Sequence, residues 1–234
     1  MTSILTTDQY LTHHWIFSEG TMTDSVGTAN MQQGSLTTFA SDRFGCPNSA
    51  LNLNQGYTFV PPGIYFDTPQ FTISVWVYPQ LMGWWSRVID FGNGSPMDNI
   101  FLTQDSNSNQ KPALWIFDGS IFKGDVTSSS PLVLNKWHML TATFDGTHAS
   151  IYINGVFQES SSFVHSLTTL IRTKNYIGKS DFTSIGYSSS LLDDLRFYNK
   201  SLTQGEITEL MNLNNSKKLT VYNFDIWFDE EFIF

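Results

Sequence analysis

The chain has 234 residues, with 12 Lys and Arg against 21 Asp and Glu and a formal net charge of −9 at pH 7. That acidic balance, with no basic patch interleaved with aromatics, excludes nucleic acid as the expected partner. No apolar run reaches membrane-span length, and one cysteine, Cys46, leaves no internal disulfide. Apolar residues at 41% and aromatics at 15% supply a sizeable core, while charged residues are only 14%, so Ser, Thr, Asn and Gln must carry the polar surface.

Short alternating segments follow one another between turn signals. YLTHHWIF (10–17) places Leu11, Trp15 and Phe17 on one face. His13 and His14 are adjacent on that strand, face opposite sides and cannot chelate one ion together. ALNL and YTFV flank an expected turn at 54–56. FTISVWVYP (71–79) puts Phe71, Ile73, Val75 and Val77 on one face and Trp76 and Tyr78 on the other. SRVIDFG, NIFLTQ (99–104) and ALWIFDGS (113–120) continue the series. In KWHMLTATF both faces carry apolar residues, which predicts a central strand with Trp137 and Trp76 largely buried. DGT (145–147) and ING (153–155) supply tight-turn chemistry. NYIGKS and LLDDLRFYN are the last strands. SLTQGEITELMN then reads as a helix, with Thr203 and Glu206 in capping-box spacing and Ile207, Leu210 and Met211 on one face.

Period-2 alternation with Gly, Asn, Asp and Pro between the runs predicts an all-β fold: a two-sheet antiparallel jelly-roll sandwich with one short C-terminal helix. The expected domain spans 1–213. Residues 214–234 form a C-terminal extension, within which alternation of Tyr222, Phe224, Ile226 and Phe228 predicts a strand over 220–228 and a possible assembly surface over 217–234.

In LLDDLRFYN, a strand that sends Leu195 and Phe197 to the core sends Asp193 there too. A carboxylate on an apolar face needs a partner, either a hydrogen-bond network or a cation. Asp194 and Arg196 lie two apart on the other face, in position to pair at the surface. LMGWWSR places Trp84 and Trp85 in a loop. One of them is expected to pack, leaving the other free to stack on a sugar ring. His138, beside Trp137, reads as a hydrogen-bonded structural residue. Nucleophile-elbow, phosphate-loop and zinc-helix motifs are absent, as is the spaced carboxylate array of a glycosidase. No catalytic residue is assigned, and the chain is expected not to be an enzyme.

The ordered set HWIFSEGTMTDSVG, FTISVWVYP, KWHMLTATFDGTHASIYINGV and LLDDLRFYNKSLTQGEITEL resembles the laminin-G-like, concanavalin A-like jelly-roll family. The resemblance covers about residues 10–212. It implies a recognition module, carbohydrate-binding or adhesive, more often than an enzyme, with glycan or protein ligands at the loop rim. A structural subunit of a larger assembly and a diverged glycoside hydrolase are the alternatives. It also implies calcium, held between Asp24 of the MTDSVG loop and Asp193 with help from backbone carbonyls. The polar composition and three sequons, at Asn93, Asn199 and Asn214, point to an extracellular or secreted setting, although the N-terminus lacks the pattern of a signal peptide.

Overall fold

The computed structural model describes residues 6–107, 109–182 and 186–212. The extension at 214–234 and the strand expected at 220–228 lie outside the described residues. The strands are β1 (Leu11–Trp15), β2 (Gln32–Ala40), β3 (Ala50–Val60), β4 (Phe71–Leu81), β5 (Arg87–Gly92), β6 (Ile100–Thr103) and β7 (Ala113–Asp118). They continue as β8 (Ile121–Thr127), β9 (His138–Phe144), β10 (His148–Ile153), β11 (Val156–Ser162), β12 (Lys174–Ile177) and β13 (Ser188–Tyr198). One helix, α1, covers 204–212.

Hydrogen-bonded neighbours run β11-β10-β9-β4-β13-β3-β12-β5-β6-β7-β8, with β1 on β13 and β2 on β3. The path folds into two layers because β3 serves both. Its first half pairs with β13 and its last three residues pair with β12. The inner faces of the layers meet in one core that includes Trp15, Leu51, Ile73, Val75, Ile89, Leu102, Ile116, Leu140, Ile151 and Phe197. Burying this apolar surface is the main driving force for the sandwich.

The NQG stretch at 54–56 is not a turn. It lies within the continuous strand β3, where Gln55 takes φ 53° and the pairing with β13 shifts. The partner strand β2 shifts register on either side of Ser35. The bulge lets β3 bend from one layer to the other. Gly56 is required there, because a Cβ would fall 2.2 Å from the carbonyl oxygen of Leu36.

The outer face of the first layer is covered. Trp76, Met139, Tyr152 and Tyr198 pack with Leu202, Ile207 and Leu210 from α1 and its approach. The capping box forms as its spacing predicts: Thr203 N–H donates to Glu206 Oε2 at 2.8 Å, and Glu206 N–H donates to Thr203 Oγ1 at 3.4 Å. Trp76 is buried, but Trp137 is only half-buried. It precedes β9 and leans on Tyr78 instead of entering the layer. The DGT turn is closed by Asp145 Oδ1, which accepts from the backbone N–H groups of Thr147 and His148. Asn154 and Gly155 both adopt positive φ at the β10–β11 turn.

Candidate functional site

The acidic residues singled out by the sequence fall into two separate networks. Asp24 is buried at the end of β1. Its Oδ1 accepts from the N–H groups of His14 (3.0 Å), Val26 (3.2 Å) and Gly27 (3.0 Å), while Oδ2 accepts from Ala29 N–H (3.1 Å) and lies 2.7 Å from His13 Nδ1. Burial alone would raise this carboxyl, but the bonds to His13 and the backbone hold it below its ordinary value.

Asp193 does not face the core. Asp194 takes φ 55° inside β13, and the pairing with β4 shifts between Asp193 and Arg196. This bulge breaks the alternation. Leu192 and Leu195 both reach the core, and the two carboxylates turn to the outer face of the first layer. There the Arg43 guanidinium bonds Asp193, reaches Asp194 at 3.4 Å, and stacks over Trp76 at 4.8 Å and Phe44 at 4.5 Å. Asp194 also meets His14 Nε2 at 2.6 Å and Arg196 Nε at 2.9 Å. The Asp194–Arg196 pair expected at the surface is therefore buried.

Asp24 is thus held by His13 and backbone N–H groups and Asp193 by Arg43, so the two carboxylates belong to different networks. Among the described residues no group of three or more His, Cys, Asp or Glu is gathered as metal ligands. His138 is buried, with Nε2 3.1 Å from both N and O of Val133, and burial lowers its pKa. This matches its structural reading.

The Trp pair leads to a different place. Trp84 is 54% exposed, with Nε1 donating to Asn107 Oδ1 at 3.2 Å. Trp85, at φ 59°, is half-buried and stands edge-on to Trp115, with ring centroids 5.2 Å apart. It forms one wall of an open cleft of ≈ 200 Å³ on the outer face of the second layer, lined with Arg87, Phe101, Trp115, Phe117 and Phe182. The floor follows from strand alternation. Ile100, Leu102, Leu114 and Ile116 point into the core, so Phe101, Trp115 and Phe117 point out. Phe101 pairs directly with Trp115 across β6 and β7. The three rings lie nearly parallel, at 6.0 Å and 6° for Phe101–Trp115 and 6.2 Å and 23° for Phe101–Phe117. Phe182, from the connection between β12 and β13, closes the other wall against Phe101 and Phe117.

Arg87 is the one charged residue in this lining. Its guanidinium lies flat over Phe101, with Cζ 3.9 Å from the ring centroid. Nε donates to Asp90 Oδ2 at 3.2 Å and Nη1 to the carbonyl of Trp85 at 2.8 Å. Asp90 is fully buried beneath the cleft and is held by Asn99 Nδ2 (2.8 Å) and Asp181 N–H (3.0 Å) as well. Burial raises Asp90 and lowers Arg87, and their mutual attraction opposes both shifts.

A family model described as the concanavalin A-like lectin/glucanases superfamily (Laminin_G_3) matches residues 52–208. The chain belongs to the concanavalin A-like lectin/glucanase superfamily. No curated protein matches it. Among solved structures, domain 4 of AbnA, a GH43 extracellular arabinanase from Geobacillus stearothermophilus in complex with arabinotriose, aligns with TM-score 0.72 at 23% identity, covering 86% of this chain and 98% of that one. The botulinum neurotoxin serotype G binding domain aligns with TM-score 0.66 at 17% identity over 88% of this chain and 51% of its own. The binding domain of Paraclostridial Mosquitocidal Protein 1 gives TM-score 0.64 at 19% identity over 87% and 52%. The chain spans about half the length of the two toxin domains, and at these identities the likeness is one of fold.

Within this lectin/glucanase-superfamily domain, the sequence singles out Trp84 and Trp85 and expects the exposed one to bind, yet it is the half-buried Trp85 that lines the cleft, and Arg87, Phe101, Trp115, Phe117 and Phe182 are not singled out. A signal was present. IFL and LWIF alternate aliphatic and aromatic residues, so one face is aliphatic core and the other is aromatic.

Proposed function

We propose that this domain is a non-catalytic carbohydrate-recognition module of a secreted or surface protein, and that it binds its glycan in the aromatic cleft of the second layer. The observation that carries this reading is the aromatic cleft: half-buried Trp115 and Phe117 stand parallel to Phe101, which Arg87 covers, between the walls of Trp85 and Phe182. Flat aromatic faces take the apolar face of a sugar ring, and a few fixed polar groups set its orientation. A non-catalytic role is supported by the lining, which contains no carboxylate. Asp90, the carboxylate beneath it, is fully buried and already accepts from Arg87, Asn99 and Asp181. The relative solved with arabinotriose adds support from the fold.

The test is calorimetric titration with arabino-, galacto- and glucan oligosaccharides, paired with an assay for new reducing ends. Binding without cleavage is expected, lost in Trp85→Ala and Phe117→Ala at unchanged melting temperature. Full binding by both variants would refute the cleft. Release of reducing ends would instead support a glycoside hydrolase.

A further inference from the structure

The geometry points to a carboxylate-bearing sugar, a uronic or nonulosonic acid residue, as the unit that enters the cleft, with its carboxylate on the Arg87 guanidinium. This inference rests on the glycan reading above and specifies the ligand.

Arg87 is 2% exposed, yet it lines an open cavity. Two of its nitrogens are committed, Nε to Asp90 and Nη1 to the Trp85 carbonyl. Among the described residues Nη2 has no hydrogen-bond partner, and it is not among the fully enclosed orphaned polar atoms. Phe101 beneath the guanidinium and Trp85 and Phe182 beside it fix its plane. The side chain is therefore set before any ligand arrives, and a ligand acceptor gains the bond without the entropy cost of ordering a long side chain. A charge-assisted bond from its remaining N–H groups to a carboxylate is stronger than one to a neutral hydroxyl.

The one charged residue of the lining, Arg87, stands on the β5 side of the cleft. An acidic ring thus has one favoured orientation: carboxylate toward Arg87 and flat face on Trp115. A core ion pair with Asp90 alone would account for Nε. It leaves unexplained why the guanidinium is laid along the floor of a cleft with an unbonded Nη2.

The test uses the full chain with two acidic probes, oligogalacturonate and a sialylated lactose. The controls are the carboxyl-reduced form of the first, lactose and arabinotriose. At least one acidic probe should bind, with affinity falling as salt rises and its neutral counterpart weaker on the order of tenfold. The acidic arm that binds identifies the source of the carboxylate. Arg87→Lys, which keeps the charge but not the fork, should weaken the acidic probe more than it weakens neutral sugars. Equal, salt-insensitive binding of acidic and neutral sugars in the unaltered protein would overturn this inference and leave the glycan reading standing. No binding of any probe would remove both. Because the reduced and unreduced probes are compared on unaltered protein, the outcome does not depend on how the variant folds.

Discussion

His14 Nε2 lies 2.6 Å from Asp194 Oδ1, joining two residues 180 apart in sequence and fastening β1 to the bulge of β13. The same carboxylate takes Arg196 at 2.9 Å and Arg43 at 3.4 Å, so one acidic side chain faces three basic ones in a buried setting. Removing it strips the buried Arg196 of its carboxylate partner. Asp194→Ala should destabilise the fold by about 3–5 kcal/mol. Urea unfolding of the variant measures this, and a loss below about 1 kcal/mol would contradict a buried network.

The neighbouring acid behaves oppositely with pH. Burial pushes Asp193 up to about 8 from 3.8, with Arg43 only partly offsetting it. Folding therefore favours the protonated form. Its contribution to stability is complete below about pH 4 and is lost as pH rises toward about 8. Asp194 is held well below 3.8 because Arg196 and His14 outweigh the effect of burial, so its contribution is present above pH 3.8 and is lost in acid. Unfolding free energies measured across this range should decline on the alkaline side. Asp193→Asn should flatten that decline while leaving the acid limb intact. An unchanged alkaline limb in the variant would exclude Asp193 as its source.

Asp24 clamps its loop through four backbone N–H groups. Asp24→Ala should cost at least about 2 kcal/mol, since several buried donors lose one acceptor. The fall in melting temperature should be equal in calcium and in chelator. A loss seen only with calcium present would place an ion at this carboxylate.

Trp76 and Trp137 should differ. Trp76 is 7% exposed and packs under α1, so Trp76→Ala should cost about 3–5 kcal/mol. Trp137 is half-buried against Tyr78 and should cost less. Thermal and denaturant unfolding of the two variants checks the ranking, and equal losses would contradict it.

The strands most legible in the sequence are those with strict alternation. In β4, Phe71, Ile73, Val75 and Val77 enter the core and Trp76 faces away, as period 2 requires. Capping-box spacing likewise locates α1. What escaped was wherever the period breaks. The residue at φ 55° in β13 reverses the face of Asp193, and in LLDDLRFYN only the tolerance of Asp for that region hints at it. The β3 bulge was read as a turn because Asn-Gln-Gly suits either. The polar strand β2 has a mostly exposed face and little apolar pattern. The cleft is assembled from β5, β6, β7 and two connections, so its spacing exists only after the strands pair. Its aromatics were legible one by one, but their parallel stacking was not.

Thr6 Oγ1 donates to Glu209 Oε2 at 3.1 Å, so the first described residue touches the last helix. That helix covers the outer face of the first layer, while the cleft opens on the outer face of the second. The first described residue and the last helix thus share one corner, on the layer opposite the aromatic floor.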